Sequence, residues 1–513
     1  MIKSQYVKNA LANLAGNAVL VLLLLVSTPI LIRMLGEAQY GLYRVALVSI
    51  VGYSMILNMG FGSAVRRYFS DDLYAGRVRQ ANEVLSVGYT FHIFQSVFVM
   101  LLFLSAVLWL PPLVKTPPEY LWGFRSAIAV AGLYVCSLFL TSPLSGVLMA
   151  HSRYDLHEIA HLSFRVMLLG GGIILVYLWQ PTLYALAAAG VIGTASVVIL
   201  QVQFSRRVFV DLRLRFGYWN PDLFKKLFRF GRYAMMMVVG AMVLHQSPDI
   251  LIAGFLGPQW VASYAVAAIL IAQLRAVTDA FAGPLFPIAS RLKANNDANG
   301  LRSLLLDGTR RCLWAWGALV CPVIIFAESM IGAWIGPPYA ASFVFVWILI
   351  LGDMGTALHY SPSCILNAVG SIKWLGLSQL IFSGLSLFGM VLVLTFTPFG
   401  IVGVVWCLAV PTLIRGGVIV PVYTCLQLNL PIMKFYAYNL IPCALYVLSG
   451  CGLCFAIRAW ITPVSFISVL AVMGACAALI AAVGLWIMLS RGERNLLMGF
   501  LKNYVAVLGG RKD

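Results

Sequence analysis

Long apolar runs alternate with short polar breaks along nearly the whole chain, and this spacing predicts helices that cross a membrane. Spanning the hydrocarbon takes about 20 apolar residues in a helix. Fourteen such segments can be marked, at 9–32, 42–62, 84–110, 124–149, 159–178, 184–204, 233–256, 260–286, 311–335, 342–367, 375–397, 400–424, 437–459 and 464–489. Six precede the basic stretch Ser205–Arg232 and eight follow it. The expected fold class is therefore an all-α integral membrane protein with about 14 transmembrane helices.

One stretch recurs. Pro29–Ala46 reads PILIRMLGEAQYGLYRVA, and Asp249–Ala267 reads DILIAGFLGPQWVASYAVA. Each holds an ILI run, then Leu-Gly (Leu35-Gly36 and Leu256-Gly257), then Tyr-x-Val-Ala starting seven residues after the glycine. In each copy the Leu-Gly sits at the turn between two apolar spans. An even number of spans separates the copies, so both halves have the same orientation and a pseudo-axis along the membrane normal. The domain scheme that follows has a first lobe at 1–204 and a basic cytoplasmic linker at 205–232. A second six-helix lobe at 233–430, two further helices at 431–490 and a cytoplasmic tail at 491–513 complete it.

Composition agrees with the pattern. The chain is 61% hydrophobic and only 10% charged, with a mean hydropathy of +0.93, too little charge to cover a soluble surface. A net charge of +18 invites a nucleic-acid partner, but its placement argues against one. With the N-terminus inside, 27 of the 35 Lys and Arg fall in inner segments and 5 in outer ones, Arg33 and Arg44 among the latter. That bias predicts both termini on the cytoplasmic side. The Lys3/Lys8 start resembles a signal peptide, but its apolar run is too long and reads as an uncleaved first helix. The LFKKLFRFGRY part of the linker suits either an amphipathic helix on anionic headgroups or an ordinary basic loop. Cys451 and Cys454 have redox or zinc spacing, yet sit inside an apolar span without a second ligand pair.

The chain carries no phosphate-loop motif, no nucleophile elbow and no His/Cys cluster at metal spacing, so enzymatic chemistry is not expected. His157 and His161, an i, i+4 pair near His151, lack an acidic third ligand at helical spacing. Charges inside the spans remain, where each costs several kcal/mol unless it faces water or a partner. Asp249 follows Pro248 in span seven, and Arg275 and Asp279 share one face of span eight. Asp353 is mid-way along span ten, and Arg415 precedes Gly416-Gly417 in span twelve. The Arg275/Asp279 pair reads equally as a packing bridge, and Arg165 reads as a side chain snorkelling to headgroups. Arginine forks suit phosphate oxygens, whereas a drug-cation site wants acidic, aromatic walls. At mid-span two arginines face three aspartates, so sign alone leaves the ligand open. Pro29, Pro143, Pro248, Pro284, Pro322 and Pro411 interrupt spans and predict bends.

The opening stretch Pro29-x-x-x-Arg33-x-Leu35-Gly36, with Tyr40-Gly41-Leu42-Tyr43, resembles the first helix hairpin of the polysaccharide flippases. The run Asn58-Met59-Gly60-Phe61-Gly62 with Arg66 and Arg67 beyond it is similar, as are Asp249-Ile250, Leu256-Gly257, Tyr264 and Pro287-x-x-Ser290. These O-antigen and exopolysaccharide transporters belong to the multidrug/oligosaccharidyl-lipid/polysaccharide exporter superfamily. The resemblance covers about residues 5–430. It implies two pseudo-symmetric six-helix lobes around a V-shaped central cavity, plus two C-terminal helices. It also implies alternating-access flipping of an undecaprenyl-pyrophosphate-linked oligosaccharide across the bacterial inner membrane. On that reading Arg275, Arg415 and Arg66 hold the pyrophosphate, while Asp249, Asp279 or Asp353 carries a coupling proton or sodium ion. No other cofactor is expected. Membrane lipids and other polysaccharide-assembly proteins are the expected partners. An ion-coupled multidrug efflux transporter is the alternative, and a membrane polymerase or ligase a third reading that the short outer loops disfavour.

Overall fold

The computed structural model describes residues 2–487 apart from 59–60, 152, 180–181, 215–217, 462 and 464. The basic tail 491–513, Met59-Gly60 of the resemblance motif and the Gln180-Pro181 turn lie outside the described residues. Among those described every regular element is helical, and 13 helices are long and apolar enough to cross a membrane.

Thirteen becomes fourteen at Gly36. The first candidate span, Val19–Asn58, is 40 residues long. At 1.5 Å per residue it would measure about 60 Å, twice the hydrocarbon thickness. The helix Ile2–Arg44 is broken inside by Gly36 at φ 77°, ψ 167°, so two spans meet there. Glycine reaches this conformation without a Cβ penalty. The repeated Leu-Gly behaves alike: Gly257, at φ 114°, separates the Pro221–Phe255 helix from Gln259–Ala282. The two copies also touch, because Gly41 lies directly against the backbone carbonyl of Pro258. A Cβ at Gly41 would overlap that oxygen, which has no flexible side chain to give way. Gly41→Ala is expected to lower the melting temperature in detergent through overpacking worth about 1–3 kcal/mol; an unshifted melt would remove the contact.

By internal contacts the chain forms two units, Met1–Ala265 with Gln379–Val404, and Val266–Ser378 with Val405–Asp513. In the first, Val78–Leu113 packs along Leu121–Ala150, which packs in turn on Leu183–Val208. In the second, Ala298–Trp334 is the hub for Phe343–Ala368 and for the two last helices, Ile432–Trp460 and Phe466–Ile487. Those two are tied in by polar contacts as well as packing: Trp314 Nε1 donates to the Ala481 carbonyl at 3.0 Å, and Arg458 Nη1 to that of Ile325 at 2.7 Å. Leu101, Trp109, Leu448, Phe455 and Ile467 remain exposed, as lipid-facing side chains must. The contact units divide the chain at places other than the repeat boundary read from the sequence.

The linker 205–232 is not a separate surface segment. Its first residues end the Leu183–Val208 helix, and from Pro221 onward it is the start of the 35-residue helix that becomes span seven. Asn220 caps that helix, accepting from the amides of Asp222 and Leu223. The apolar positions between the charges are anchored: Phe209, Leu212, Leu214, Phe224 and Leu227 join a core with Phe61, Phe69 and Val84. Asn82 fixes the segment, donating to the Asp211 carbonyl at 2.9 Å and accepting from the Arg213 amide at 2.8 Å. The amphipathic pattern here reports docking on protein.

Pro29, Pro143, Pro248, Pro322 and Pro411 all lie inside helices, and Pro284 falls in the break between Gln259–Ala282 and Leu285–Ala294. Wider π turns occur at Val45–Ile50, Val166–Gly171 and Arg415–Ile419. Such turns are frequent at functional sites, and all three begin at, or just after, an arginine: Arg44, Arg165 and the buried Arg415.

Candidate functional site

Each unit holds one cluster of charge at membrane depth. In the first, Asp249 is 1% exposed and sits one residue past Pro248, inside the Pro221–Phe255 helix. Its Oδ2 accepts from Arg44 Nε at 3.2 Å, Arg44 Nη2 at 2.9 Å and Ser49 Oγ at 2.8 Å. Arg44 ends the first long helix and Ser49 lies within the following π turn, so the wide turn brings both to one oxygen. All three donors crowd onto Oδ2; Oδ1 is buried and accepts nothing. Nearby, the hydroxyl of Tyr53, four residues after Ser49, and Ser247 Oγ, two residues before Asp249, are hydrogen-bonded.

The second cluster spans three helices. Arg275 Nε donates to Asp353 Oδ1 at 3.0 Å, and Trp316 Nε1 to Asp353 Oδ2 at 3.0 Å. Asp353 is 2% exposed, so both its oxygens are satisfied without water. Arg275 thus reaches across to Asp353 on a neighbouring helix, whereas its helical neighbour Asp279 is exposed. The charge of Asp279 still acts on Asp353 and Tyr360.

Arg415 differs from every other arginine in the two clusters. It opens the π turn Arg415–Ile419 and is 8% exposed. No carboxylate pairs with it among the described residues, and its Nε is buried with no hydrogen-bond partner. Gly416 and Gly417, which follow it, lie against Gly355, so the two backbones come within contact distance. His359, from the same helix as Gly355, is near enough to feel the charges of both Arg415 and Arg275. An uncompensated buried cation costs several kcal/mol. Arg415 is therefore a place where an anion would be strongly favoured.

Of the sequence-picked residues, Arg275, Asp353 and, through its field, Asp279 come together in the second unit, with Arg415 linked through His359. Asp249 belongs to the first unit. So does Arg66, which is exposed on Phe61–Tyr74 with Nη1 2.8 Å from Met149 Sδ. Three contributors escaped sequence reading: Ser49, Trp316 and above all Arg44. Arg44 was placed among the outer-loop cations, although it falls two residues inside the second apolar segment. That position was the available signal.

Comparison with known proteins is informative once this geometry is in view. Residues 6–293 match the sequence profile of the family described as "Polysaccharide biosynthesis protein". The chain belongs to that family. With 13 helices long and apolar enough to cross a membrane among the described residues, it is a multi-pass membrane protein. A Shigella flexneri protein that carries the description of an O-antigen transporter is 23% identical over 378 residues, covering 72% of this chain and 86% of the relative. The fold is shared with "Lipid II flippase MurJ" in an inward closed conformation. The TM-score is 0.65 at 12% identity, over 93% of this chain and 99% of that one. It is also shared with an inward-facing MATE multidrug resistance transporter, with TM-score 0.64 at 13% identity over 80% and 94% of the chains.

Proposed function

We propose that this family member flips a lipid-linked oligosaccharide, carried on undecaprenyl pyrophosphate, across the bacterial inner membrane by alternating access. Both termini are then cytoplasmic, as the Lys/Arg bias requires. The observation that carries the reading is Arg415, a buried guanidinium that no carboxylate pairs with among the described residues. A pyrophosphate cannot enter hydrocarbon bare, and a guanidinium at depth supplies forked, charge-assisted donors to its oxygens. Arg275 adds a second guanidinium in the same unit. The family match and the Shigella flexneri relative support the same class of cargo.

The efflux reading draws on the MATE likeness and needs an acidic cavity. Here both buried aspartates already hold an arginine, Asp249 with Arg44 and Asp353 with Arg275. A cationic drug would have to displace those partners, so the balance favours an anionic cargo. For coupling, protonation of Asp249 or Asp353 would strand its arginine. Asp279, exposed and in neither pair, is the better carrier of a proton or sodium ion, and the membrane potential acting on the charged cargo is a second drive.

The test is cellular. Depleting the protein should make lipid-linked oligosaccharide accumulate in the cytoplasmic leaflet while surface polysaccharide falls and drug sensitivity stays unchanged. Unaltered polysaccharide with new drug sensitivity would transfer the protein to the efflux class.

A further inference from the structure

The first unit contains a polar cavity that neither cluster accounts for. Its volume is about 370 Å³, within the range of small-ligand sites. Asn58, Ser142 and Ser145 line one part of it, and His157, Glu158, His161 and Arg165 line another. The last four come from a single helix, Tyr154–Arg165, where His157, His161 and Arg165 follow one another at i, i+4 and i+8. They therefore line one face of the helix, two imidazoles followed by a guanidinium. The two imidazoles meet edge to face, with centroids 4.4 Å apart.

Three observations say what it would hold. Arg165, read from sequence as a snorkelling side chain, has no carboxylate partner among the described residues and lines the cavity instead. Arg66 rests on a thioether sulfur and is close enough for its charge to act on His157. Against these cations Glu158 supplies one negative charge. Gln201 is fully buried and donates Nε2 to His157 Nδ1 at 3.3 Å, leaving its own Oε1 without a partner. That donation keeps the proton of neutral His157 on Nε2, as a donor. Rotating the amide would instead let Oε1 accept from Nδ1–H of an imidazolium, so Gln201 serves both forms. No group of three His, Cys, Asp or Glu among the described residues is placed to hold a metal. What the wall offers is hydroxyls, an amide, imidazole N–H and a guanidinium fork, the donor set of a phosphate site.

We propose that this cavity docks a phosphate-bearing group, with Arg165, His157 and His161 on the phosphoryl oxygens and Ser142, Ser145 and Asn58 completing the contacts. The same chemistry is presented by a prenyl-pyrophosphate headgroup and by a soluble pyrophosphate. With a lipid source the proposal rests on the flippase reading and adds a headgroup site in the first unit, apart from Arg275 and Arg415. A soluble source needs no such premise.

The experiment is calorimetric titration of inorganic pyrophosphate into the full-length protein, in detergent at low salt. Arg165→Gln with His161→Gln should weaken one binding event by about tenfold or more and leave unchanged the event sensitive to Arg275→Gln with Arg415→Gln. Arg165→Lys, which keeps the charge, should recover part of the loss. Wild-type affinity in the Arg165/His161 variant overturns the site. Repeating the titration in nanodiscs separates the sources: prenyl pyrophosphate competes where the lipid is the ligand, and fails to compete where the soluble ion is. Surface polysaccharide distinguishes the two ideas. Pocket variants that bind and export normally, beside Arg415 variants that do not export, sink the pocket alone. Weakened binding in pocket variants of a protein whose depletion leaves polysaccharide intact sinks the flippase reading alone.

Discussion

Replacing Arg415 by alanine is expected to abolish surface polysaccharide while leaving the protein at its normal level in the membrane. The two halves of that expectation have separate causes. Export falls because the substitution removes a buried guanidinium that no carboxylate neutralises, and with it the forked donation a pyrophosphate requires. Losing one charged contact of this kind is worth about 2–5 kcal/mol, or a factor of 30 to several thousand. The protein persists because Arg415 makes no ion pair among the described residues that its loss would strand. Removing an uncompensated buried charge relieves a desolvation cost, so the melting temperature in detergent should hold or rise. Arg415→Lys should fall between, since an ammonium keeps the charge without the planar fork. A variant that melts higher and still exports at wild-type rate would make Arg415 a structural oddity.

Asp249→Ala should behave in the opposite way, as a folding defect first. Asp249 Oδ2 is the shared acceptor of Arg44 and Ser49 in a site 1% exposed to solvent. Taking away the carboxylate leaves Arg44 buried and unpaired, at a cost of about 3–5 kcal/mol. That is a large share of the stability of a typical folded chain, so expression or thermal stability should collapse. Arg44→Met combined with Asp249→Leu removes both charges and keeps the volume. Buried pairs exchanged for apolar residues are commonly neutral or stabilising, so the double variant should recover protein level. If it also recovers export, the pair serves only architecture. If stability returns and export does not, the pair belongs to the transport cycle. Equal melting of Asp249→Ala and wild type would show that Arg44 finds another partner, and would break the account of this cluster.

These cases show which parts of the molecule were legible from sequence. The spans were, because hydrocarbon thickness imposes a length that apolar runs must meet. The Leu-Gly repeat marked both interruptions, since Gly36 and Gly257 each adopt a positive φ that favours glycine. Arg415 was legible as a mid-span cation, but its lack of a partner was not, because that depends on what three-dimensional packing leaves out. Arg275 was read against Asp279, four residues away. Its partner Asp353 lies 78 residues off, a separation at which periodicity carries no information. Arg44 was lost to charge counting, which treats any cation near a span end as a loop residue. Only the packing of the Pro221–Phe255 helix, which sets Asp249 beside it, reveals the pair. In the basic linker apolar positions could face lipid or protein: Phe209, Leu212, Leu214, Phe224 and Leu227 join the Phe61 core, while Val210 and Phe228 stay exposed.

The central claim is that a buried, unpaired guanidinium awaits an anionic headgroup. The most direct test is flipping by the purified protein in proteoliposomes, using a fluorescent prenyl-pyrophosphoryl oligosaccharide and a neutral prenyl oligosaccharide of the same length. The account predicts that wild type flips the pyrophosphate lipid and discriminates against the neutral one, and that Arg415→Gln erases this preference. Equal flipping of both lipids by wild type, or a preference unchanged in Arg415→Gln, would contradict it.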